Sequence, residues 1–213
     1  MHKIFVDTCV WRHWFTFKAG KPLPQGRIRQ HCESFDKIYD LVRSAPDQAC
    51  FLYNKRIEDE LGESLQSEFS KHALPLSQKI PIPLTRCDGT YCFDDSIIFG
   101  GEMGGKLRDL LSIQGYPHEL KLEQAANDLK EGDFLYNTTP RKREFDIEHL
   151  ESALEARADL FITNDEKTIL AWLQSASPKY DESHPINLIH KISKTPTSAL
   201  LCVQHQLSSP SRL

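Results

Sequence analysis

The sequence predicts an α/β fold in which a parallel sheet is covered by helices on both faces. Short apolar runs that end at polar residues alternate with segments whose apolar residues recur every three or four positions. The first pattern is typical of buried parallel strands, and the second is typical of amphipathic helices. Right-handed crossovers join such strands and cover both faces of the sheet. A chain of 213 residues is long enough for one such domain with an insertion.

The first half of the chain alternates strand, helix, strand and helix. The apolar run at 3–6 predicts the first strand, and apolar residues at helical spacing predict a helix over 28–42. A second strand is expected at 49–53. Asn54 follows it as a natural helix cap, and the helix that Asn54 begins carries Glu60.

The second half continues this alternation after a less regular middle. In the helix that starts near residue 146, apolar residues line one face, and Glu148, Glu151 and Glu155 lie on the others. We expect one domain over 1–206 and a flexible tail at 207–213. The predicted elements are, in chain order, an edge strand at 80–84, an amphipathic helix capped by Asp146, a strand at 160–163, a helix capped by Asn164 or Asp165 and running through Leu173, a strand at 187–192, and a short helix at 195–201.

Composition is that of an ordinary folded protein, with 39% hydrophobic and 26% charged residues. The net charge of −4 argues against a surface that is basic throughout, so any nucleic-acid contact must be local. No apolar run is long enough to cross a bilayer, and the first residues lack the features of a signal peptide. We therefore expect a cytoplasmic protein with no membrane contact.

Six cysteines are scattered through apolar surroundings without the paired spacing of a zinc site. Cys87 and Cys92 are the only close pair in the sequence. Free thiols in a reducing compartment are expected in preference to a disulfide or a structural zinc at this pair.

Acidic residues stand where predicted strands meet helices. Asp7 and Asp165 directly follow strands, and Glu60 and Asp146 lie in the first turns of helices. Taken singly, each of the four has an ordinary interpretation as a helix cap or a solvated side chain. Parallel sheets, however, place sites at the carboxyl ends of their strands, so the four acids are expected to converge there. Converging carboxylates repel one another unless a cation compensates, and Mg²⁺ or Mn²⁺ prefers such oxygen ligands.

Three segments resemble the motifs of PIN domains. The run IFVDTCVW around Asp7 resembles the first motif, in which a strand ends in Asp followed by a hydroxyl residue and an apolar pair. The segment 54–61 resembles the second motif, with Glu60 as its acid. The segment DIEHLESALEARADLFITND at 146–165 resembles the pattern DxxHLxxAxxxxADxxxTxD, with Ala153 as its central alanine. The end, KISKTPTSALL, also resembles the final strand and short helix of the family.

The resemblance covers roughly 1–84 and 144–200, so that residues 85–143 form an insertion between the second and third acidic motifs. It implies a three-layer α/β/α fold with a central parallel sheet.

The resemblance also implies an activity, which is metal-dependent endonucleolytic cleavage of single-stranded RNA. The implied catalytic and metal-binding residues are Asp7, Glu60, Asp146 and Asp165, holding Mg²⁺ or Mn²⁺. The ions would activate a water for in-line attack and neutralise charge on the scissile phosphate. Many such enzymes are toxins held by an antitoxin, so the implied partners are RNA, an antitoxin protein and a second copy of the chain in a homodimer.

Several other residues near the acids are also candidates for a role in the site. Thr8 and Thr163 are candidates for orienting water or a carboxylate, although such hydroxyls more often satisfy local backbone, and they are not predicted as catalytic. His149 follows Asp146 by one helical turn and is not assigned as a base, because lone helical histidines mostly pack or hydrogen bond. The basic residues before Asp146 are candidates for RNA binding from a loop, namely Arg141, Lys142 and Arg143.

Aromatic residues after Asp7 have two interpretations, which are stacking on unpaired bases and packing in the core or in an antitoxin groove. They are Trp11, Trp14, Phe15 and Phe17. The glycine-rich stretch at 100–106 has the spacing of a phosphate loop, but Leu107 stands where such a loop needs Ser or Thr, which argues against nucleotide binding.

Two alternatives to the ribonuclease remain open. A structure-specific DNA nuclease would use the same metals. A non-catalytic binding module would keep the fold and recognise a partner through the insertion. The presence of all four acids argues against the module, because a degenerate site would tolerate their loss.

Overall fold

The fold is described from a computed structural model, which describes residues 1–24, 26–80, 85–87, 90–93, 96–98 and 140–208. Its centre is a five-stranded sheet in which every neighbouring pair of strands is parallel. The strands lie in the order β3, β2, β1, β7, β8, and their bounds are β1 His2–Val6, β2 Ala49–Tyr53, β3 Ser77–Lys79, β7 Leu160–Ile162 and β8 Ser193–Lys194. The predicted α/β class and parallel sheet are confirmed.

Helices connect these strands. The α-helices in the described part of the chain are α1 Thr8–Lys18, α2 Ile28–Ser44, α3 Lys55–Leu61, α4 Glu63–His72, α5 Pro140–Glu155, α6 Ala171–Ala176, α7 Pro185–Ile192 and α8 Pro196–Ser208. Helices α1, α2 and α8 pack together as one group, and α5, α6 and α7 pack together as another. This grouping is compatible with a three-layer α/β/α arrangement. None of the described helices is both long and apolar enough to span a membrane.

The strand order reverses between β1 and β7. From β1 the chain builds outward through β2 and β3, and it later returns to the other side of β1 with β7 and β8. The register pairs Ile4 with Leu160 and Val6 with Ile162, so that both strands end at the same level. In open parallel sheets the crevice beyond the carboxyl ends at such a reversal is where ligands bind.

The aromatic residues after Asp7 pack in the core. Trp11 is fully buried, and its ring meets Phe35 of α2 at 5.1 Å, Phe51 of β2 at 5.3 Å and Phe69 of α4 at 5.5 Å between centroids, in each case edge to face. Such contacts add about 0.5–1.5 kcal/mol each to the burial of the rings. Trp14 and Phe15 are buried as well, and Phe17 packs against the same cluster. The core-packing interpretation is therefore confirmed for Trp11, Trp14 and Phe15, whereas Phe17 is only partly buried.

The predicted strand at 187–192 is wrong. These residues belong to α7, and only Ser193–Lys194 forms a strand. Pro185 occupies the first turn of α7, and the His184 side chain accepts a hydrogen bond from the Ile186 backbone N. Ile186 and Ile189, three positions apart, are both buried. The apolar run thus follows the helical period, and a proline in the first turn favours a helix.

The predicted start of the helix at Asp146 is also wrong. Helix α5 begins at Pro140, so Asp146 lies in its second turn and does not cap it. The basic run at 141–143 is accordingly helical and not a loop, and its side chains lie outside the described part of the structure. Glu148 and Glu151 are buried, contrary to the predicted solvated faces, while Glu155 is exposed.

The middle of the chain contributes a small antiparallel sheet. Its strands are β4 Thr85–Cys87, β5 Thr90–Phe93 and β6 Ser96–Ile98, in that order. The register places Cys87 opposite Thr90 and Cys92 opposite Thr85. Cys9, Cys32, Cys50 and Cys202 are free thiols, as expected.

Several predictions fall on residues outside the described ranges. These are residues 81–84 of the predicted edge strand, the glycine-rich stretch at 100–106, most of the insertion, and residues 209–213 of the predicted tail. One edge of the five-stranded sheet is β3, which lies earlier, at Ser77–Lys79, and the Ile80 backbone N donates a hydrogen bond to Tyr53 O at 2.8 Å. Residues 207 and 208, predicted as tail, belong to α8.

Candidate functional site at the carboxyl edge of the sheet

The candidate site lies where the strand order reverses. Asp7 follows β1, and Thr163 follows the neighbouring β7. The Asp7 backbone N donates to Ile162 O at 2.9 Å, which fixes the two strand ends side by side. The Thr163 hydroxyl then donates to Asp7 Oδ2 at 2.6 Å. Asp7 and Thr163 therefore lie side by side at the ends of β1 and β7, joined by a hydrogen bond.

The Asp7 carboxylate is buried, at 5% exposure, and does not cap the helix that it precedes. Its Oδ2 accepts hydrogen bonds from the Thr163 hydroxyl and from Cys9 Sγ, the latter at 3.0 Å. Its Oδ1 accepts none from the residues that the structure describes. The helix-cap interpretation of Asp7 is thus excluded, and one carboxylate oxygen remains for a ligand.

Glu60 reaches the same place from α3. Asn54 starts this helix, because its side chain accepts a hydrogen bond from the Ile57 backbone N at 3.1 Å, as predicted. Glu60 Oε2 lies 2.8 Å from His149 Nε2. The Thr8 hydroxyl donates to the same Glu60 oxygen and lies 3.3 Å from His149 Nε2. Thr8 and Thr163 thus both orient carboxylates, which was the less expected of their two interpretations.

His149 is the centre of the acidic group. Its side chain is 1% exposed and comes from α5. Burial by itself lowers the pKa of His149, but the hydrogen bond to Glu60 and the surrounding negative charge outweigh burial, so the pKa is raised. The carboxylates that supply this charge are those of Asp7, Glu60 and Asp146. The negative charge of three acids therefore acts on one buried imidazole.

The Glu60 carboxylate responds in the opposite direction. Burial raises its pKa, but the hydrogen bond and charge of His149 lower it more, and Thr8 and Arg12 add to this effect. The net result is a pKa below the usual value for Glu60. Glu60 and His149 consequently form a charged pair in which each partner stabilises the charge of the other.

Asp165 joins the group through its backbone. Its N donates to Thr163 Oγ1 at 3.0 Å, so that one hydroxyl links Asp165 to the Asp7 carboxylate. The Asp165 Oδ1 accepts a hydrogen bond from the Thr168 N at 3.1 Å and caps the π-helical turn Glu166–Leu170, as the sequence predicts. The structure thus places Glu60 in contact with His149, lets the charges of Asp7 and Asp146 act on the same imidazole, and links Asp165 to Asp7 through Thr163.

A buried ion pair holds α3 against α5. The Arg56 guanidinium binds Glu148 with two hydrogen bonds, Nε to Oε2 at 2.6 Å and Nη2 to Oε1 at 3.1 Å. It also lies over the Phe145 ring, 4.2 Å from the centroid. Asn54 adds a hydrogen bond from Nδ2 to Ser152 Oγ at 2.8 Å. These contacts fix the two helices from which Glu60 and His149 project.

Polar residues of α1 lie beside the site, and its solvent-facing side at Arg12 is called the entrance. Arg12 is exposed, and its Nη2 donates to the Glu60 carbonyl oxygen. His13 is half-buried; its Nδ1 accepts a hydrogen bond from Asn164 Nδ2 at 3.0 Å, and burial lowers its pKa. The Cys9 thiol accepts a hydrogen bond from Asn164 N, and burial raises its pKa well above the usual value.

Comparisons of this chain with protein-family models, with curated proteins and with solved structures found no match. The resemblance to PIN domains therefore stays a prediction that rests on the three motifs.

A divalent cation is the cofactor that this resemblance implies, and the donor chemistry suits it. Carboxylate oxygens from β1, α3 and α5 are the ligands that Mg²⁺ and Mn²⁺ prefer, and Asp7 keeps Oδ1 available. In the described residues, no group of three or more His, Cys, Asp or Glu side chains is arranged to hold a metal ion. Glu60 is instead hydrogen bonded to His149 and Thr8. The oxygen donors therefore suit the ion in chemical type, whereas the described side chains are not arranged around a metal position.

Two residues that contact Glu60, His149 and Arg12, are not predicted as site residues from the sequence. His149 had a signal, because it follows Asp146 by three positions and so lies on the same face of α5. The sequence carries no such signal for Arg12, because Arg12 reaches Glu60 only through the packing of α1 against α3.

Proposed function

We propose that this protein is a metal-dependent endoribonuclease with a PIN-like three-layer fold, which hydrolyses phosphodiester bonds of single-stranded RNA. The observation that carries the proposal is the hydrogen bond between Glu60 and the buried His149 at the reversal of a parallel sheet, where the charges of Asp7 and Asp146 also act on His149. Carboxylates gathered at such a point require compensating positive charge. His149 and a bound cation would supply it.

The proposed ligands of the cation are the four acids Asp7, Glu60, Asp146 and Asp165. When bound, Mg²⁺ or Mn²⁺ would supply an activated water and neutralise charge on the scissile phosphate. The protein's own residues prepare this site. Thr163 and Thr8 hold the Asp7 and Glu60 carboxylates by hydrogen bonds, which lowers the cost of ordering them.

The proposal also covers the reaction products, the partners and the cellular location of the enzyme. Cleavage is expected to leave 5′-phosphate and 3′-hydroxyl ends. An antitoxin protein and a second copy of the chain are the partners proposed, and the cytoplasm is the proposed location.

A cleavage assay with paired substrates tests the proposal. End-labelled single-stranded RNA and DNA are incubated with purified protein in manganese or in chelator. Wild-type protein is expected to cut RNA only in manganese. Asp7→Asn and Asp146→Asn are each expected to lower the rate by more than about 100-fold, the most that loss of an outer-shell partner usually costs.

Asp47→Asn is the matched control, because Asp47 is exposed in the turn before β2, at the opposite edge of the sheet. It should cut at the wild-type rate. Equal cleavage by wild type and both site variants would refute the mechanism. Cleavage of DNA alone would favour the DNA nuclease. RNA binding without cleavage in any metal would favour the binding module.

A further inference from the structure

We propose that Arg12 binds a backbone phosphate of the nucleic-acid substrate at the entrance to the acidic site. The inference rests on the proposed function for the location of the site, and it adds a substrate-binding group that the acids themselves do not provide.

Arg12 is placed at the entrance by a contact between two helices. It lies in α1, the helix that begins directly after Asp7, and its Nη2 donates to the carbonyl oxygen of Glu60 in α3. Its positive charge acts on the Glu60 carboxylate, whose pKa it helps to lower. The guanidinium is therefore held beside the acidic group while its side chain remains exposed to solvent.

Most of the donors of Arg12 are available to a ligand. A guanidinium carries five N–H donors in a rigid fork, and the Glu60 carbonyl engages Nη2 alone. Two other arginines near this edge are already paired with carboxylates, Arg56 with Glu148 at 2.6 Å and Arg27 with Glu166 at 3.7 Å. Within the described part of the chain, no carboxylate oxygen lies within 4.0 Å of the Arg12 guanidinium, the limit for an ion pair.

Phosphate is the ligand that this arrangement fits. The fork of an arginine matches two phosphate oxygens, and such charge-assisted pairs are about twice as strong as neutral hydrogen bonds. The protein as a whole carries a charge of −4, and the site itself is acidic, so a polyanion needs local positive charge to approach it. Arg12 supplies that charge next to the proposed reaction centre.

A purely structural role makes a different prediction. Arg12 binds a carbonyl in the last turn of α3, where a cation stabilises the end of a helix. That role alone would affect thermal stability but would leave the salt dependence of RNA binding unchanged. Each contact between a cation and a phosphate of a single strand instead contributes about 0.7 to the slope of log Kd against log salt concentration.

The test is fluorescence anisotropy with a fluorescein-labelled single-stranded oligoribonucleotide, in chelator, over a range of KCl concentrations. Arg12→Gln is expected to weaken binding roughly tenfold at low salt and to lower the slope by about 0.7. Arg12→Lys keeps the charge and should retain most of the slope. Arg43→Gln is the control, because Arg43 is exposed in the last turn of α2, pairs with Asp40 and should bind as wild type does.

Equal affinity and equal slope in wild type and Arg12→Gln would overturn the inference, and so would wild-type protein that binds no RNA. Cleavage in manganese, measured separately, distinguishes the two proposals. Protein that binds RNA through Arg12 without cutting it refutes the nuclease alone. Protein that cuts RNA with the same KM in wild type and Arg12→Gln refutes the role of Arg12 alone.

Discussion

His149 Nε2 lies 2.8 Å from Glu60 Oε2 although the residues are 89 positions apart in the chain. The pair joins α3 to α5 beside Thr8, which follows the end of β1 by two residues, and brings two predicted motifs into contact. Its charge balance accounts for the raised pKa of His149 and the lowered pKa of Glu60.

The first prediction concerns the pH dependence of this pair. His149 has a raised pKa in the folded protein, so its stabilising contribution is present below the usual value of 6.5 and is lost as the pH rises through the folded pKa. Glu60 has a lowered pKa, so its contribution is present above the usual 4.5 and is lost as the pH falls through the folded pKa.

In chelator, Glu60→Gln should therefore lose most stability relative to wild type between about pH 4.5 and 6.5, and less above and below that interval. Urea unfolding across this pH range measures the difference, with Glu63→Gln, an exposed change in α4, as the control. A difference that grew steadily above pH 8 would contradict the assignment.

The second prediction concerns the Arg56–Glu148 ion pair. Glu148→Gln leaves the Arg56 charge without its partner in a mostly buried place and should lower the free energy of unfolding by about 3 kcal/mol, the lower end of the usual range because Arg56 keeps some exposure. Asp59→Asn breaks the exposed Lys55–Asp59 pair and should cost less than about 0.5 kcal/mol. Equal losses in the two variants would show that the first pair does not clamp the helices.

The third prediction separates packing from base recognition. Trp11→Ala removes a fully buried ring from contacts with three aromatic residues and should cost about 3–5 kcal/mol of unfolding free energy. RNA affinity of the folded fraction should not change, because the ring does not reach solvent. Anisotropy measured at a temperature where the variant is folded checks this; a loss of affinity without a loss of stability would restore the base-stacking interpretation.

The fourth prediction concerns the hydroxyl that links Asp7 to Asp165. Thr163→Val keeps the shape of the side chain but removes the hydrogen bonds to Asp7 Oδ2 and from Asp165 N. Cleavage should fall by about 10- to 100-fold, as is usual when a group that orients a metal ligand is lost. Thr163→Ser retains the hydroxyl and should recover most of the activity. Full activity in Thr163→Val would mean that Asp7 needs no such support.

Much of the sheet could be predicted from the sequence, but less of the helical structure could. The runs at 3–6, 49–53 and 160–163 are short, apolar and end in polar residues, which is what a doubly covered parallel strand requires. The run at 187–192 has the same composition, yet Pro185 in the first turn and isoleucines three positions apart make it a helix. Periodicity alone does not separate these two cases in a short apolar run.

The acids of the site could be predicted from local sequence, whereas the residues that contact them depend on tertiary packing. Asp7 could be placed at the end of a strand from the sequence alone, because that position is set by β1. The role of His149 depends on α3 meeting α5, and that meeting is fixed by Arg56, Glu148 and the aromatic ring between the helices. Nothing local in the sequence encodes such a contact.

Manganese binding tests whether Asp7 and the neighbouring acids hold a divalent cation. Free Mn²⁺ is followed by electron paramagnetic resonance while wild type, Asp7→Asn and the control Asp47→Asn are titrated. Wild type and Asp47→Asn are expected to bind the ion alike, and Asp7→Asn is expected to bind it at least about tenfold more weakly. Equal affinity in all three proteins, or no bound manganese in the wild type, would contradict this expectation.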